Sequence, residues 1–187
     1  MRTTQPYGAP RFWHVTASQY GPKYDYHWNE FYDEPQGNRE GGEWCGRDGI
    51  DHGPSIKRIR EQMSLNDIVV SYQAREGILG LARVEKKYRC TRKGKEIWTF
   101  DLRTSPAVGF KNPLTCAEMR RLPGGEEIEF VRCLRGTVFE IKPFEFKRIL
   151  SALLRKNPKE RGYVDLFLNA PRPASLWRRP NRKGKPQ

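Results

Sequence analysis

The apolar positions of the N-terminal half alternate or recur at helical spacing, which predicts short strands and one helix. RFWHVTAS at 11–18 alternates as a half-buried strand does. VVSYQAREGILGLARV at 69–84 has two runs rich in β-branched residues around a polar turn that ends in Gly77, which predicts a β-hairpin. PSIKRIREQM at 54–63 places its apolar residues on one helical face. EIWTFDLR at 96–103 predicts a further strand, after a basic loop with the sequence KKYRCTRKGK.

The C-terminal half is predicted to contain two helices and three strands. The stretch TCAE at 115–118 has the arrangement of a capping box, so a helix of about two turns is expected to follow it. EIEFVRCL and GTVFEIKP predict two strands around a turn at Arg135. A helix is expected to start at Pro143, because FEFKRILSALLRK repeats apolar residues at helical spacing. YVDLFLN at 163–169 predicts one more strand.

This order of elements predicts an α+β fold, with a small β-barrel of about six mostly antiparallel strands and helices on its outside. We expect an N-terminal arm at 1–10 and one domain at 11–156. Residues 157–187 are expected to add a C-terminal strand and a flexible basic tail or linker. The stretch at 20–43 is long, acidic and rich in aromatic residues, so we expect a partly ordered lid or insertion there.

The charge of the chain is strongly basic and unevenly distributed. Residues 20–52 contain eight acidic and three basic residues, a net charge of −5. Because the whole chain carries +13, the remainder carries +18. An excess of this size favours a polyanionic partner, since neutralising phosphates releases counterions and dominates nucleic-acid affinity.

Cysteine and histidine are too scattered to predict a metal site. The four cysteines contain no C-x-x-C pair, and the three histidines are far apart. We therefore expect no metal and no cofactor. No apolar run approaches the roughly 20 residues that cross a bilayer, and the N-terminus has no apolar signal core. A cytoplasmic protein without a membrane partner is expected.

Six local strings, taken in order, resemble EVE domains. They are FWHVTAS, Trp44 with Gly46, Met63-x-x-Asn66-Asp67, VSYQAREGILGLARV, WTFDLR followed by NPLTCAEM, and GTVFEIKPFEF. EVE domains belong to the PUA-like superfamily and are related to the YTH readers of methylated adenine. They are also related to the N-terminal modified-DNA-binding domains of McrB-type restriction proteins. The resemblance covers roughly residues 11–150 and implies a PUA-like barrel with a nucleobase pocket.

One part of the resemblance is missing. EVE domains usually carry an Asn-Tyr-Gln-Ala-Arg-like run after the Trp-x-Gly pair, and RDGIDHGPSIKR stands there in this chain. The residues that form the floor of the pocket are therefore not carried over.

The resemblance implies an aromatic pocket that holds a base taken out of the stack. Trp44 corresponds to a cage residue at its mouth, and its polar, Gly-rich surroundings are unlike those of a core tryptophan. Tyr72 would line the pocket, although it also suits the barrel core. The backbone around Ser71 and Gln73 would offer hydrogen bonds to the base edge.

Four further residues are candidates for the pocket, and three of them have a simpler alternative. Trp98 is a possible second wall or a core residue, and a lid aromatic such as Trp28 is another candidate wall. Asp51 and Ser55 are candidates for contacts to the base edge. Both also suit capping of the helix at 54–63.

Basic residues on the predicted helix, the hairpin turn and the basic loop are candidates for phosphate contacts, which position a nucleic acid without specifying its sequence. The candidates are Lys57, Arg58, Arg60, Arg75, Lys86, Lys87 and Arg89, with Arg92, Lys93 and Lys95 further along the loop.

The sequence thus favours a non-enzymatic module that recognises a modified base, methylated adenine or modified cytosine, in DNA. It would be the recognition part of a restriction or defence system, with a nuclease or NTPase effector as a domain or subunit. Three alternatives stay open. One is an RNA reader of the same kind, and another is a protein-interaction scaffold that docks through 20–43. The third is a metal-dependent nuclease with Glu140 and Lys142, aided by Asp67 or Asp101.

Overall fold

The elements described by this computed structural model lie in residues 9–17, 28–33, 43–44, 54–92, 95–102, 106–132 and 138–169. The strands are β1 Phe12–Ala17, β2 Glu43–Trp44, β3 Ile68–Gln73, β4 Gly77–Arg83, β5 Lys86–Arg92, β6 Lys95–Asp101, β7 Ala107–Leu114 and β8 Val138–Ile141. The α-helices are α1 Trp28–Asp33, α2 Pro54–Glu61, α3 Cys116–Arg120, α4 Glu129–Arg132, α5 Pro143–Lys156 and α6 Arg161–Asn169. No helix within these ranges is long and apolar enough to cross a bilayer.

The strands form a five-stranded sheet in the order β7-β4-β3-β1-β8 and a three-stranded sheet in the order β2-β6-β5. The neighbours β1 and β3 run parallel, with Phe12 opposite Ile68 and Ala17 opposite Gln73. The other pairs of described strands are antiparallel. The predicted mixed α+β class is confirmed. Among the described residues the strands do not close into a barrel, so the PUA-like barrel stays a prediction.

Each face of the five-stranded sheet has its own apolar core. Along β3, Ile68 and Val70 join one cluster and Val69 joins the other, as the two-residue period of a strand requires. The first cluster is completed by residues of α3, α4, α5 and α6. The second is completed by residues of α1, α2 and β6. Because both faces of β3 are buried, its sequence IVVSYQ begins with a continuous apolar run.

Several predicted elements are confirmed. β1 lies within 11–18, α2 within 54–63, and α5 starts at Pro143. The hairpin is β3 and β4, and its turn ends at Gly77 with φ 121°. A Cβ at Gly77 would collide with the backbone carbonyl of Leu114 on β7, so glycine is required there for space as well as for conformation.

The predicted capping box is present, although its helix is shorter than expected. The N–H of Glu118 donates to Oγ1 of Thr115 (3.2 Å), and the N–H of Thr115 donates to the Glu118 carboxylate (2.8 Å). Lys156, at the end of α5, donates to the same carboxylate (2.7 Å). Lys156 and Thr115 together lower the pKa of Glu118 to about 2. The box therefore also connects α3 to α5.

The strand predicted at 163–169 is wrong, because these residues belong to α6. Val164 and Phe167 are buried three residues apart, which is the spacing of a helical face. Arg83 on β4 donates to the carbonyls of Phe167 (2.8 Å) and Leu168 (3.2 Å). These bonds satisfy carbonyls that the end of a helix leaves without partners. A contact with a distant strand thus favours a helix here, although the local sequence favours a strand.

The strand predicted in EIEFVRCL is also wrong. Gly125–Glu127 is a 3₁₀ turn and Glu129–Arg132 is α4. Phe130 and Val131 are adjacent and both buried, which does not fit the alternation of a half-exposed strand. Cys133, Leu134 and the predicted turn at Arg135 lie outside the described residues.

The basic loop predicted after β4 is wrong as well, because most of it is β5. Its backbone pairs with β6 from Lys86 opposite Asp101 to Arg92 opposite Lys95. Lysine and arginine have weak strand preferences, but cross-strand packing overrides such preferences. β7 was not predicted, since Gly109, Asn112 and Pro113 make its sequence resemble a loop.

A buried carboxylate fixes the start of the parallel strand pair. Oδ1 of Asp67 accepts from the backbone N–H of Arg11 (3.1 Å), and Oδ2 accepts from Nε1 of Trp13 (2.8 Å) and the N–H of Ser64 (2.8 Å). Asp67 is 4% exposed. It therefore satisfies three donors at the point where β1 and β3 meet.

Replacing Asp67 with Ala should leave these donors without an acceptor and destabilise the fold by about 3 kcal/mol, since each unsatisfied buried polar group costs about 1–3 kcal/mol. Urea unfolding followed by circular dichroism measures the change in the free energy of unfolding. Asp165→Ala, at an exposed aspartate of α6, is the matched control and should be near neutral. Equal effects of the two substitutions would contradict the structural role of Asp67.

Candidate nucleic-acid interface

Helix α2 and strand β5 bring several of the predicted phosphate-binding residues together. Lys57 and Arg60 on α2 are exposed, as are Lys86 and Arg89 on β5. Lys87 connects the two elements, because its Nζ donates to the carbonyls of Arg60 (3.1 Å) and Met63 (2.6 Å). We call the surface formed by Lys57, Arg60, Lys86 and Arg89 the α2–β5 surface.

The charges of this surface differ in their surroundings. Arg60 forms an ion pair with Glu61, so part of its charge is already neutralised. Partial burial lowers the pKa of Lys87, and the nearby Asp67 carboxylate opposes this shift. Lys57 on α2 and Arg89 on β5 are both exposed, so both are accessible for contact with a phosphate backbone.

Trp98 lies beside the cations of this surface. It is opposite Arg89 in the β5–β6 register and is partly buried against the second apolar cluster. The Arg89 guanidinium lies 5.2 Å and Lys87 Nζ lies 5.7 Å from the centre of the Trp98 ring, within the range of cation–π attraction. Trp98 therefore packs on the core, as one of its two predicted roles requires, and also contacts the cationic surface, while its role as a pocket wall stays a prediction.

Arg58 and Arg75 do not belong to the α2–β5 surface. Arg58 donates to the carbonyl of Val138 (2.6 Å), pairs with Glu129 (2.9 Å) and lies 4.9 Å from the centre of the Phe139 ring. These contacts join α2 to β8 and α4, which is a structural role. Arg75 lies in the exposed turn between β3 and β4. The seven residues of β4 separate it from β5, a length of about 23 Å at about 3.3 Å per residue.

Two of the predicted pocket residues, Ser71 and Gln73, lie together beneath α1. Oγ of Ser71 and the hydroxyl of Tyr32 are 2.7 Å apart, and Oε1 of Gln73 accepts from the backbone N–H of Trp28 (3.2 Å). Both β3 residues are 0% exposed. They lie where the parallel strands β1 and β3 end, so buried polar groups are concentrated at the C-terminal ends of these two strands.

Tyr72 lies on the opposite face of β3 from Ser71 and Gln73, because successive side chains of a strand alternate. It packs against the first apolar cluster, and its ring centre is 5.1 Å from that of His14. Burial raises the pKa of Tyr72, and Cys116 raises it further while Arg120 lowers it. The three consecutive residues therefore do not line one common pocket with their side chains.

The remaining predicted pocket residues are Trp44, Ser55 and Asp51. The backbone of Trp44 pairs with Phe100 on β6, and its side chain lies outside the described part of the chain, as does all of Asp51. Oγ of Ser55 accepts from the N–H of Val138 (3.2 Å), so it connects α2 to β8.

The sequence analysis named Trp28 as a possible lid aromatic, but it missed the helix α1 and the roles of Phe31 and Tyr32. Trp28, Phe31 and Tyr32 are all buried, and the Tyr32 ring lies against Gly80 and Gly109 of the sheet. Any side chain at either glycine would meet this ring, so the sheet is shaped to receive it. The aromatic residues at i, i+3 and i+4 were a visible signal of a helix face.

The residues proposed for a nuclease site lie on different elements, and one of them, Asp101, is the last residue of β6. Glu140 is exposed on β8, Lys142 precedes α5, and Asp67 is occupied by three hydrogen bonds. Within the described ranges there is no group of three His, Cys, Asp or Glu residues arranged to hold a metal ion.

Comparison with known proteins finds solved structures of similar fold but no matching family. No family model and no curated protein matches the chain. Rpa0253 from Rhodopseudomonas palustris is similar in structure, with 20% identity, a TM-score of 0.57, and coverage of 75% of this chain and 91% of that one. A hypothetical protein from Leishmania major has 14% identity and a TM-score of 0.58, covering 79% and 97%. Atu2648 from Agrobacterium tumefaciens has 15% identity and a TM-score of 0.53, covering 76% and 92%. These likenesses show a shared fold.

His14 provides a test of the packing beside Tyr72. Its ring stacks on Phe130 with centroids 3.9 Å apart, and neither ring nitrogen has a hydrogen-bond partner in the described part of the chain. Burial lowers the pKa of His14 to about 3. The folded state therefore keeps the ring neutral, while the unfolded chain takes up a proton below about pH 6.5. This contribution to stability is complete above pH 6.5 and is lost as the pH falls towards 3.

We expect the free energy of unfolding to fall, on account of His14, by up to about 1.4 kcal/mol per pH unit between pH 6 and pH 4. His14→Phe keeps an aromatic ring and removes the titrating group. The difference in stability between the wild type and this variant should therefore change with pH in urea titrations. A difference that stays constant from pH 7 to pH 4 would show that His14 is not buried in its neutral form.

Proposed function

We propose that this protein is a non-enzymatic nucleic-acid-binding module of the EVE type, which recognises a modified base in DNA. The recognised base is a methylated adenine or a modified cytosine, taken out of the stack into an aromatic pocket. Such a module would serve as the recognition part of a restriction or defence system. The α2–β5 surface is the observation that carries this proposal.

The α2–β5 surface has the chemistry that binds a nucleic-acid backbone. Exposed lysine and arginine side chains on two connected elements lie beside Trp98, whose ring is within cation–π distance of Arg89 and Lys87. Cations supply affinity through phosphate neutralisation, and an aromatic ring among them offers a surface for a base. The net charge of +18 outside residues 20–52 also favours the binding of a polyanion.

The positions of the EVE-like strings support the choice of family. FWHVTAS contains β1, VSYQAREGILGLARV contains β4 and most of β3, and GTVFEIKPFEF contains β8 and the start of α5. The strings therefore coincide with strands of the five-stranded sheet and with the start of a long helix, where a shared fold would require similar residues. We propose that the two sheets are parts of a PUA-like barrel.

Three other functions make different predictions. An RNA reader would use the same surface and would prefer RNA in a direct comparison. A nuclease would require Mg²⁺ and would lose cleavage in Glu140→Ala. A protein-interaction scaffold would lose its partner on deletion of residues 22–40 without any change in nucleic-acid affinity.

The first test is a gel-shift panel near physiological salt. Matched duplexes carry plain bases, N6-methyladenine, 5-methylcytosine or 5-hydroxymethylcytosine, with single strands and RNA alongside. We expect a preference of tenfold or more for one modified duplex, equivalent to about 1.4 kcal/mol. Equal binding to every duplex would overturn the assignment as a reader of modified bases.

The double variant Lys57→Ala/Arg89→Ala tests the α2–β5 surface. Its affinity for all duplexes should fall about tenfold, and the slope of log K against log salt should decrease by about 1–2, since each phosphate contact contributes about 0.9. Lys147→Ala/Lys159→Ala removes two exposed cations from α5 and the turn after it, and serves as the charge-matched control. An equal loss in both double variants would show that the binding depends on net charge alone.

Trp44→Ala tests the proposed cage. We expect it to abolish the preference for the modified duplex while the affinity for the plain duplex changes little, because phosphate contacts supply most of that affinity. Trp44→Phe retains an aromatic face and should keep part of the preference. A preference that survives in Trp44→Ala would remove Trp44 from the pocket.

A further inference from the structure

We propose that the side-chain amide of Gln73 reads the edge of the recognised base, by donating a hydrogen bond from Nε2 to an acceptor atom of that base. This inference rests on the proposed function and identifies a donor for specificity within it. It assigns to the Gln73 side chain a role that the sequence suggested only for the nearby backbone.

The orientation of this amide is fixed by its neighbour. The backbone N–H of Trp28 can only donate, so the atom of Gln73 that faces it at 3.2 Å must be the carbonyl oxygen Oε1. Nε2 then points away from Trp28. Its two N–H groups have no hydrogen-bond acceptor within the described part of the chain, although Gln73 is 0% exposed.

The polar residue beside Gln73 does not share this property. Ser71, two positions earlier on the same face of β3, is bonded to the hydroxyl of Tyr32. Buried polar groups in folded proteins nearly always have partners, and an exception calls for a specific explanation. The buried amide of Gln73 is therefore a donor whose acceptor is still to be supplied.

The helix that covers Gln73 carries aromatic side chains. Trp28 and Tyr32 of α1 pack directly against each other, with ring centres 6.3 Å apart. Aromatic faces bind bases by stacking, and a side-chain donor discriminates between base edges. The ligand class is therefore a nucleobase with an acceptor on its edge, such as N1 or N3 of adenine, or O2 or N3 of cytosine.

A base reaches Nε2 only when the packing around it changes. Gln73 is closed off beneath α1, a helix of six residues. Binding of a base at Nε2 therefore requires α1 to shift, which would bring its aromatic residues against the base.

Gln73→Met tests this assignment, since methionine has a similar length and lacks the amide. The probes are duplexes with plain adenine or cytosine and with the modified base that the wild type prefers. We expect about a tenfold loss of affinity for the preferred duplex and no change for the plain one. Gln62→Met, at an exposed glutamine after α2, is the matched control and should change neither affinity.

A second comparison separates recognition from a structural effect. A base analogue that carries C–H in place of the accepting ring nitrogen, such as a 1-deaza or 3-deaza form of the modified base, removes the acceptor without touching the protein. The wild type should bind the analogue about tenfold more weakly than the parent base. Gln73→Met should show no further loss with the same analogue.

The outcomes distinguish this inference from the proposed function. If the wild type prefers a modified base and Gln73→Met retains both that preference and the deaza penalty, the role of Gln73 is overturned and the function stands. If the wild type has no preference, both fail. If Gln73→Met weakens binding to all duplexes and lowers the thermal midpoint, Gln73 is structural and the inference is overturned. Gln73→Glu keeps an acceptor for Trp28 and, when ionised, has no donor, so it should reproduce the loss seen with Met.

Discussion

The hydrogen bonds of the buried Asp67 carboxylate fix the strand pair on which the rest of the structure is built. The carboxylate accepts hydrogen bonds from the backbone of Arg11 and the indole of Trp13, so it fixes where β1 begins relative to β3. Because the two strands run parallel, this starting register determines the pairing at their far ends, where Ala17 meets Gln73. The hydrogen bonds of Asp67 at the start of these strands thus help to position the buried polar residues at their C-terminal ends.

The strands and helices that the sequence predicted correctly are those whose pattern is local. The hairpin from β3 to β4, the capping box at Thr115 and the start of α5 at Pro143 each depend on residues that are close in sequence. The wrong prediction of α6 involves a distant contact, because Arg83 of β4 binds its last carbonyls. β5 was missed because its many basic residues are typical of a loop, although it pairs with the adjacent strand β6.

The candidate site could be predicted only in part for the same reason. The cations of α2 and β5 were visible in the sequence, but their grouping depends on the bond from Lys87 to the end of α2. Arg58 belongs to the same helix and has a similar local context. It is a structural residue because Glu129, Val138 and Phe139 lie beside it. Residue type indicates a charge, whereas the fold decides whether that charge is available.

The position of β5 has a consequence for the behaviour of this protein in solution. In the described part of the chain β5 is the outer strand of its sheet, so its outward backbone groups offer a template to any other extended chain. The basic side chains of β5 repel a second copy of this basic protein and so discourage such pairing. A polyanion that neutralises them would weaken this repulsion. Binding of the proposed polyanion would therefore also affect how readily this strand pairs with another chain.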